Sequence, residues 1–163
     1  MIGVLLDPTF PSWDAQLQEV QSAAHALSRR IHILKASTVG EIDTSIASLV
    51  ELRAGGLEVT DGPFFLNRRD RLLTLTKVHA LPTIYENREF TAAGGLMSYG
   101  TSVPDVYRQI GIYAGRILKG DKPAQLPVLQ PTKFDIAVNL RTARALGIEL
   151  PTSILLRADE VIE

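Results

Sequence analysis

LPTIYENREFTAAGGLMSYG, residues 81–100, reads as a short apolar run, a loop crowded with charged and aromatic groups, a glycine pair and a second apolar segment. LPTIY, 81–85, shows no polar–apolar alternation and so suits a strand covered on both faces. The same pattern recurs upstream in IGVLL at 2–6, IHILKA at 31–36 and LEVT at 57–60. Amphipathic stretches separate these runs. The first, about 13–29, places Trp13, Leu17, Val20, Ala24 and Leu27 on one face, with Ser12 as its N-cap. The second, about 40–53, turns Ile42, Ile46, Leu49 and Val50 inward and ends at the glycines 55–56. The third, 67–79, does the same with Leu72, Leu73, Leu75 and Val78. Strands alternating with helices predict an α/β fold, a doubly wound parallel sheet covered on both faces.

After residue 90 the rhythm changes. GLMSY, 95–99, reads as a strand or an extended crossing segment, and Asp105–Leu118 as a helix with Val106, Ile110, Ala114 and Leu118 on one face. The segment 121–131 carries Pro123, Pro127 and Pro131, and each proline removes a backbone donor, so it is not a central strand. FDIAVN, 134–139, is a strand, Leu140–Leu146 a short helix, and a last short element follows Pro151. Two unequal parts are therefore expected. Residues 1–94 form a nearly complete layered unit, whereas 95–163 are too thin for a core of their own and need other surface.

Charge and composition narrow the function. With 17 basic and 18 acidic residues among 163, the net charge of −1 gives no electrostatic reason to expect nucleic acid or an anionic membrane as partner. The chain has no cysteine, which removes disulfides and thiolate chemistry. His25, His32 and His79 are not spaced as metal ligands, and neither a metal nor a cofactor is expected. The amino end, MIGVLLD, has no basic region, long apolar stretch or cleavage site, so the sequence as it stands predicts a cytoplasmic location.

In an open parallel sheet the ligand crevice lies beyond the carboxyl ends of the strands. Three loops emerge there: DPTFPS at 7–12, TDGPFF at 60–65 and YENREF at 85–90, each with a carboxylate and an aromatic ring. Asp7, Asp61 and Glu86 invite comparison with a phosphoacceptor receiver, but the second acidic residue beside the first and the later lysine are missing. No glycine-rich phosphate loop, GxGxxG or nucleophile elbow is present. DPTFPS could cradle a phosphate, yet Pro8 and Pro11 lack donors. The loops therefore predict binding and no enzyme. Phe10, Phe64 and Tyr99 are placed to stack on a flat organic ligand, while Phe65 and Tyr85 belong to the core. Arg88 either meets a ligand carboxylate or pairs with Glu86 or Glu89.

VLLDPTFP, ASTVGEIDTSIASLV, DGPFFLNRRDRL, REFTAAGGLMSYG and LPVLQPTKFDIAVNL together resemble the carboxyl-terminal half of the substrate-binding proteins of a bacterial ABC-transporter family, over essentially the whole chain. The resemblance implies a type I periplasmic-binding-protein-like fold, with two doubly wound lobes closing around a small solute, amino acids among the ligands, and an ABC permease as partner. On that likeness residues 1–94 are the second lobe, and 95–163 are the hinge crossing plus part of the first lobe, which is incomplete here. The ligand-binding set is then Asp7, Thr9, Phe10, Asp61, Phe64, Glu86, Arg88, Ser98 and Tyr99.

Full family members begin with an export or lipoprotein signal and most of the first lobe, which implies a periplasmic or lipid-anchored location for them and a truncated or short form here. Truncation predicts that the strand at 134–139 loses its sheet neighbours, and that a homodimer repairs the exposed surface. An alternative is a cytoplasmic ligand-sensing or interaction domain of the same fold acting as that dimer. The chain departs from the family at Asp7, where asparagine is usual, and at Glu58, an acidic residue in a normally apolar strand that needs either an exposed face or a partner.

Overall fold

A computed structural model describes all 163 residues. Seven strands form one sheet: β1 (Ile2–Leu6), β2 (Ile31–Lys35), β3 (Gly56–Val59), β4 (Thr83–Tyr85), β5 (Met97–Thr101), β6 (Phe134–Asn139) and β7 (Glu160–Ile162), in the order β2-β1-β3-β4-β5-β6-β7. The first five run parallel, β6 returns antiparallel to β5, and β7 runs parallel to β6. The sheet is thus mixed where the sequence predicted a parallel one. The expectation that 134–139 would lack neighbours is also overturned, since that strand pairs with β5 on one side and β7 on the other. Its ladder is satisfied within the chain.

Helices α1 (Trp13–Ala26), α2 (Val39–Glu51), α3 (Pro63–Leu66), α4 (Arg69–Val78) and α5 (Arg88–Ala92) connect the parallel strands. α2 starts at a capping box: the Thr38 hydroxyl accepts from the Glu41 N–H at 3.3 Å, and the Glu41 carboxylate accepts from the Thr38 N–H at 3.0 Å. Ser12 occupies the N-cap of α1, as expected, but its side chain makes no capping bond. α1, α2 and α4 each finish on a non-glycine residue in the left-handed region, Ser28, Arg53 and Ala80, with the paired backbone bonds that close a Schellman turn.

Pleating decides what each face buries. Leu5, Leu57, Val59 and Tyr85 point to one side, where Ile42, Ile46 and Leu49 of α2, Phe65 of α3, Leu72 of α4 and Phe90 of α5 complete a single apolar cluster. Tyr85 and Phe90 stack in it with ring centroids 4.3 Å apart. The opposite face, with Val4, Leu6, Glu58, Thr60 and Glu86, meets α1, whose Trp13 ring lies 4.5 Å beneath the Lys35 ammonium. Here the predicted helix faces need correction. Ala24 is the one buried residue of α1 and Leu27 is exposed; Val50 of α2 and Val78 of α4 are exposed as well, while Ser45 and Thr76 are buried in their place.

The remaining elements are α6 (Val103–Leu118), a 3-10 turn at Pro123–Gln125, α7 (Leu140–Ala145) and α8 (Thr152–Leu155). α6 buries none of its residues. Its apolar side faces the proline-spaced segment across a groove, fastened by the Tyr113 hydroxyl donating to the Pro127 carbonyl at 2.6 Å.

Candidate functional site

The loop after β1 folds on itself. Asp7 is buried, and its Oδ1 accepts from both the Thr9 N–H at 2.8 Å and the Thr9 hydroxyl at 2.7 Å, an Asx turn that occupies both groups internally. Phe10 is half-buried, its N–H donating to the Asp7 carbonyl at 3.1 Å. The next loop, after β3, exposes Asp61 and sends Phe64 back to the core, edge-on to Phe65 at 5.3 Å and under the Arg68 guanidinium at 5.7 Å.

The loop after β4 supplies Glu86 and Arg88. Asn87 between them caps α5, its side chain accepting from the Glu89 N–H at 3.1 Å. Arg88 makes a two-pronged pair with Glu160 of β7, Nη2 to Oε1 at 2.6 Å and Nε to Oε2. Its partner is therefore neither of the two glutamates that the sequence offered, and Glu160 raises the guanidinium pKa further.

Strand β5 passes directly over this loop. A Cβ built on Gly100 would lie 2.0 Å from the Glu86 carbonyl oxygen, so only glycine allows the strand this close. Beside it, Ser98 is buried in mid-sheet opposite Tyr85 and Ala137. Tyr99, on the other face, is half exposed and lies against Phe134 at 5.8 Å.

These elements enclose a polar cavity of about 260 Å³ at the strand ends, lined by Asp61, Glu86 and Arg88 together with Gly100, Thr101 and Asp135. Of the nine residues expected to contact ligand, those three share it; Asp7, Thr9, Phe10, Phe64, Ser98 and Tyr99 do not line it. Asp135 was not anticipated, although an acidic residue inside FDIAVN was a visible signal. Its Oδ1 is buried without a hydrogen bond and lies 3.6 Å from the Lys133 ammonium.

Glu86 holds the most altered ionisation. Burial, reinforced by the charges of Asp61, Glu58 and Glu19 and only partly offset by a backbone hydrogen bond from Asp61, pushes its pKa up to about 7. It also lines a second cavity, about 320 Å³, between α1 and the sheet with Glu19, Glu58 and Gln16. Glu58 finds no hydrogen-bond partner there, and burial raises its pKa too. A recessed carboxyl among other carboxylates favours a proton or a cationic group and repels an anion. A concave polar site lined by carboxylates and an arginine can take up a small polar solute.

Comparison with solved structures gives the same fold. A Streptococcus pneumoniae ABC domain crystallised with L-Trp matches at TM-score 0.87 and 22% identity, covering 99% of this chain and 56% of the other. A conserved domain protein from Vibrio cholerae matches at 0.88 and 18%, covering 98% and 54%. A Clostridium difficile substrate binding protein with adhesive properties, in its ligand-free open structure, matches at 0.72 and 22%, covering 99% and 54%. The chain thus spans little more than half the length of these relatives. A comparison with curated protein sequences returns no match. The family model for ABC transporter substrate binding proteins aligns with residues 1–162, and the chain belongs to that family.

Proposed function

We propose that the chain is the solute-binding part of an ABC importer's substrate-binding protein, taking a small organic solute of the amino acid class at the carboxyl ends of its strands. The observation that carries this reading is the cavity shared by Asp61, Glu86 and Arg88, in a chain of this family. The L-Trp complex of the pneumococcal relative supports the choice of solute class. Glu86 and Asp61 would receive the ammonium group, with Tyr99 and Phe134 as aromatic neighbours on the crossing strands.

In this reading 1–94 are the second lobe, and 95–163 contain the crossings and the part addressed to the first lobe. β5 carries the chain outward, α6 and 121–131 pack on the other lobe, and β6 brings the chain back into the sheet. The longer relatives are consistent with this, since close to half of each lies outside the match. The permease partner and an extracytoplasmic location belong to the same proposal.

A second reading, a ligand-sensing homodimer, is favoured by the exposed Ile110 and Leu118 of α6, which another copy would cover. Native mass spectrometry of the chain with added L-tryptophan separates the two. A monomer that retains the amino acid at about millimolar affinity, as expected when one lobe supplies half of the contacts, supports the first. A ligand-dependent dimer supports the second. A chain that takes up neither L-tryptophan nor any other amino acid overturns both.

A further inference from the structure

The largest cavity on the core side of the sheet is not in the cleft. It measures about 540 Å³, lies between α4 and α7 over the starts of β4 and β5, and shares no residue with the cavity of Asp61, Glu86 and Arg88. Its origin is the crossover between β4 and β5. The connecting helix α5 has five residues, about 7 Å of helix at roughly 1.5 Å per residue, too short to cover the sheet between its neighbours. Leu73 and Thr76 of α4 form one wall, Thr142 of α7 and Leu146 at its C-cap the other, and Thr83 and Tyr85 of β4 the floor.

Two features make this more than a packing gap. Thr76, Thr83 and Tyr85 are each more than nine-tenths buried; Thr76 Oγ1 donates to the Leu73 carbonyl at 3.3 Å and contacts the Tyr85 hydroxyl at 3.3 Å, and Thr83 Oγ1 donates to the Leu81 carbonyl at 2.9 Å, which leaves acceptor capacity on the hydroxyl oxygens. Lys77 of α4 and Arg141 of α7 also line the cavity, and neither has a carboxylate within ion-pair distance. The one carboxylate on the wall, Asp70, already contacts Arg69 at 3.4 Å. The charge here is opposite to that of the cleft, which three carboxylates line beside a single arginine held by Glu160.

We infer that this cavity is a second ligand site, for a small organic acid with an apolar body. The carboxylate meets Lys77 and Arg141, the apolar body lies on Leu73, Leu96 and Leu146, and the buried hydroxyl oxygens accept from a polar substituent. The volume falls within the range of roughly 300–1,000 Å³ of small-molecule sites.

The test is a methyl NMR titration of the whole chain with benzoate, and with benzamide as its uncharged counterpart, at constant ionic strength. Benzoate is expected to shift the Leu73, Leu96 and Leu146 methyl signals. Benzamide should bind about tenfold more weakly, a difference of about 1.4 kcal/mol. The double variant Lys77→Ala, Arg141→Ala should weaken benzoate by a similar factor without lowering the melting temperature, because both side chains are exposed. Equal binding of benzamide, unchanged benzoate binding in the double variant, shifts confined to residues outside the cavity, or no shift at tens of millimolar benzoate would each overturn the inference.

Discussion

Helices α2 and α6 are comparable in length, 13 and 16 residues, and both carry apolar side chains at helical spacing. α2 buries Ile42, Ser45, Ile46 and Leu49 against the sheet and α4, whereas α6 leaves Ile110, Ile117 and Leu118 exposed. The difference is one of partner, not of pattern. α2 joins β2 to β3, which flank β1 in the sheet, so its stripe meets the sheet within a short stretch of chain. α6 leaves β5 and the chain returns only at β6, after 32 intervening residues, and the stripe of α6 meets only the proline-spaced segment across a groove. Substitution should expose the contrast most strongly. Leu49→Ala removes a fully buried side chain packed against Gly3 and is expected to cost about 2–5 kcal/mol, while Ile110→Ala should stay within about 0.5 kcal/mol. Urea unfolding monitored by circular dichroism measures both, and a large effect at Ile110 would mean that α6 is covered in solution by another copy.

The junction between the two regions is the next place to press. Gly100 lies where β5 has run past its pairing with β4 and still pairs with β6, and a methyl group there collides with the backbone of Glu86 rather than with a movable side chain. Gly100→Ala is expected to cost about 1–3 kcal/mol and to displace the loop that carries Glu86 and Arg88. The same titration would show the stability loss, and amide shifts over 86–90 would show the displacement. Wild-type stability with unshifted amides would mean that the close approach is not maintained in solution.

Helix ends offer a smaller version of the comparison. α4 closes on Ala80 with φ of 47°, and α6 on Gly120 with φ of 109°. Ala80→Gly relieves a Cβ in the left-handed region and should stabilise the chain by about 0.5–1 kcal/mol. Gly120→Ala imposes the same kind of strain on a helix that buries nothing, so it should fray the end of α6, visible as faster amide exchange there, with little change in global unfolding. A full loss of global stability at Gly120 would show that α6 unfolds together with the sheet.

How far this was legible follows from sequence separation. The strands at 2–6, 31–35 and 56–59 are announced by short, largely apolar runs, and their helices by local spacing. The pairing of β6 with β5 is not announced, because 32 residues intervene and the antiparallel return depends on where α6 sends the chain; β7, three residues long, carries almost no signal. The site divides the same way. Asp61, Glu86 and Arg88 follow from the rule that ligands meet strand carboxyl ends, but Asp135 and Glu160 arrive from β6 and β7, whose place in this sheet is not announced. Asp7 has the residue type of a ligand contact, yet a following threonine two positions on is also the pattern of an Asx turn, and that local bond is what forms.

The smallest expected effect concerns pH, and it belongs to the sheet side of the comparison, where Glu58 lies on β3 and Glu86 just past the end of the neighbouring β4. For Glu86 the folded pKa, about 7, lies above the unfolded value of 4.5, so between those two values the folded chain binds more protons than the unfolded one. Stability contributed by this group is therefore present below about pH 4.5, falls as pH rises towards 7, and is flat above it. Glu58 adds to the fall in the same direction. Glu86 is also partly open to solvent, which screens the charges around it and keeps the effect small. Glu86→Gln should flatten the decline of stability between pH 5 and pH 7, leaving the part due to Glu58. Melting temperatures of both chains across that interval decide the matter: parallel profiles would place the Glu86 carboxyl in water, and a variant that loses the decline would place it at the recessed edge of the cleft, where a cationic group of the solute would take over from the proton.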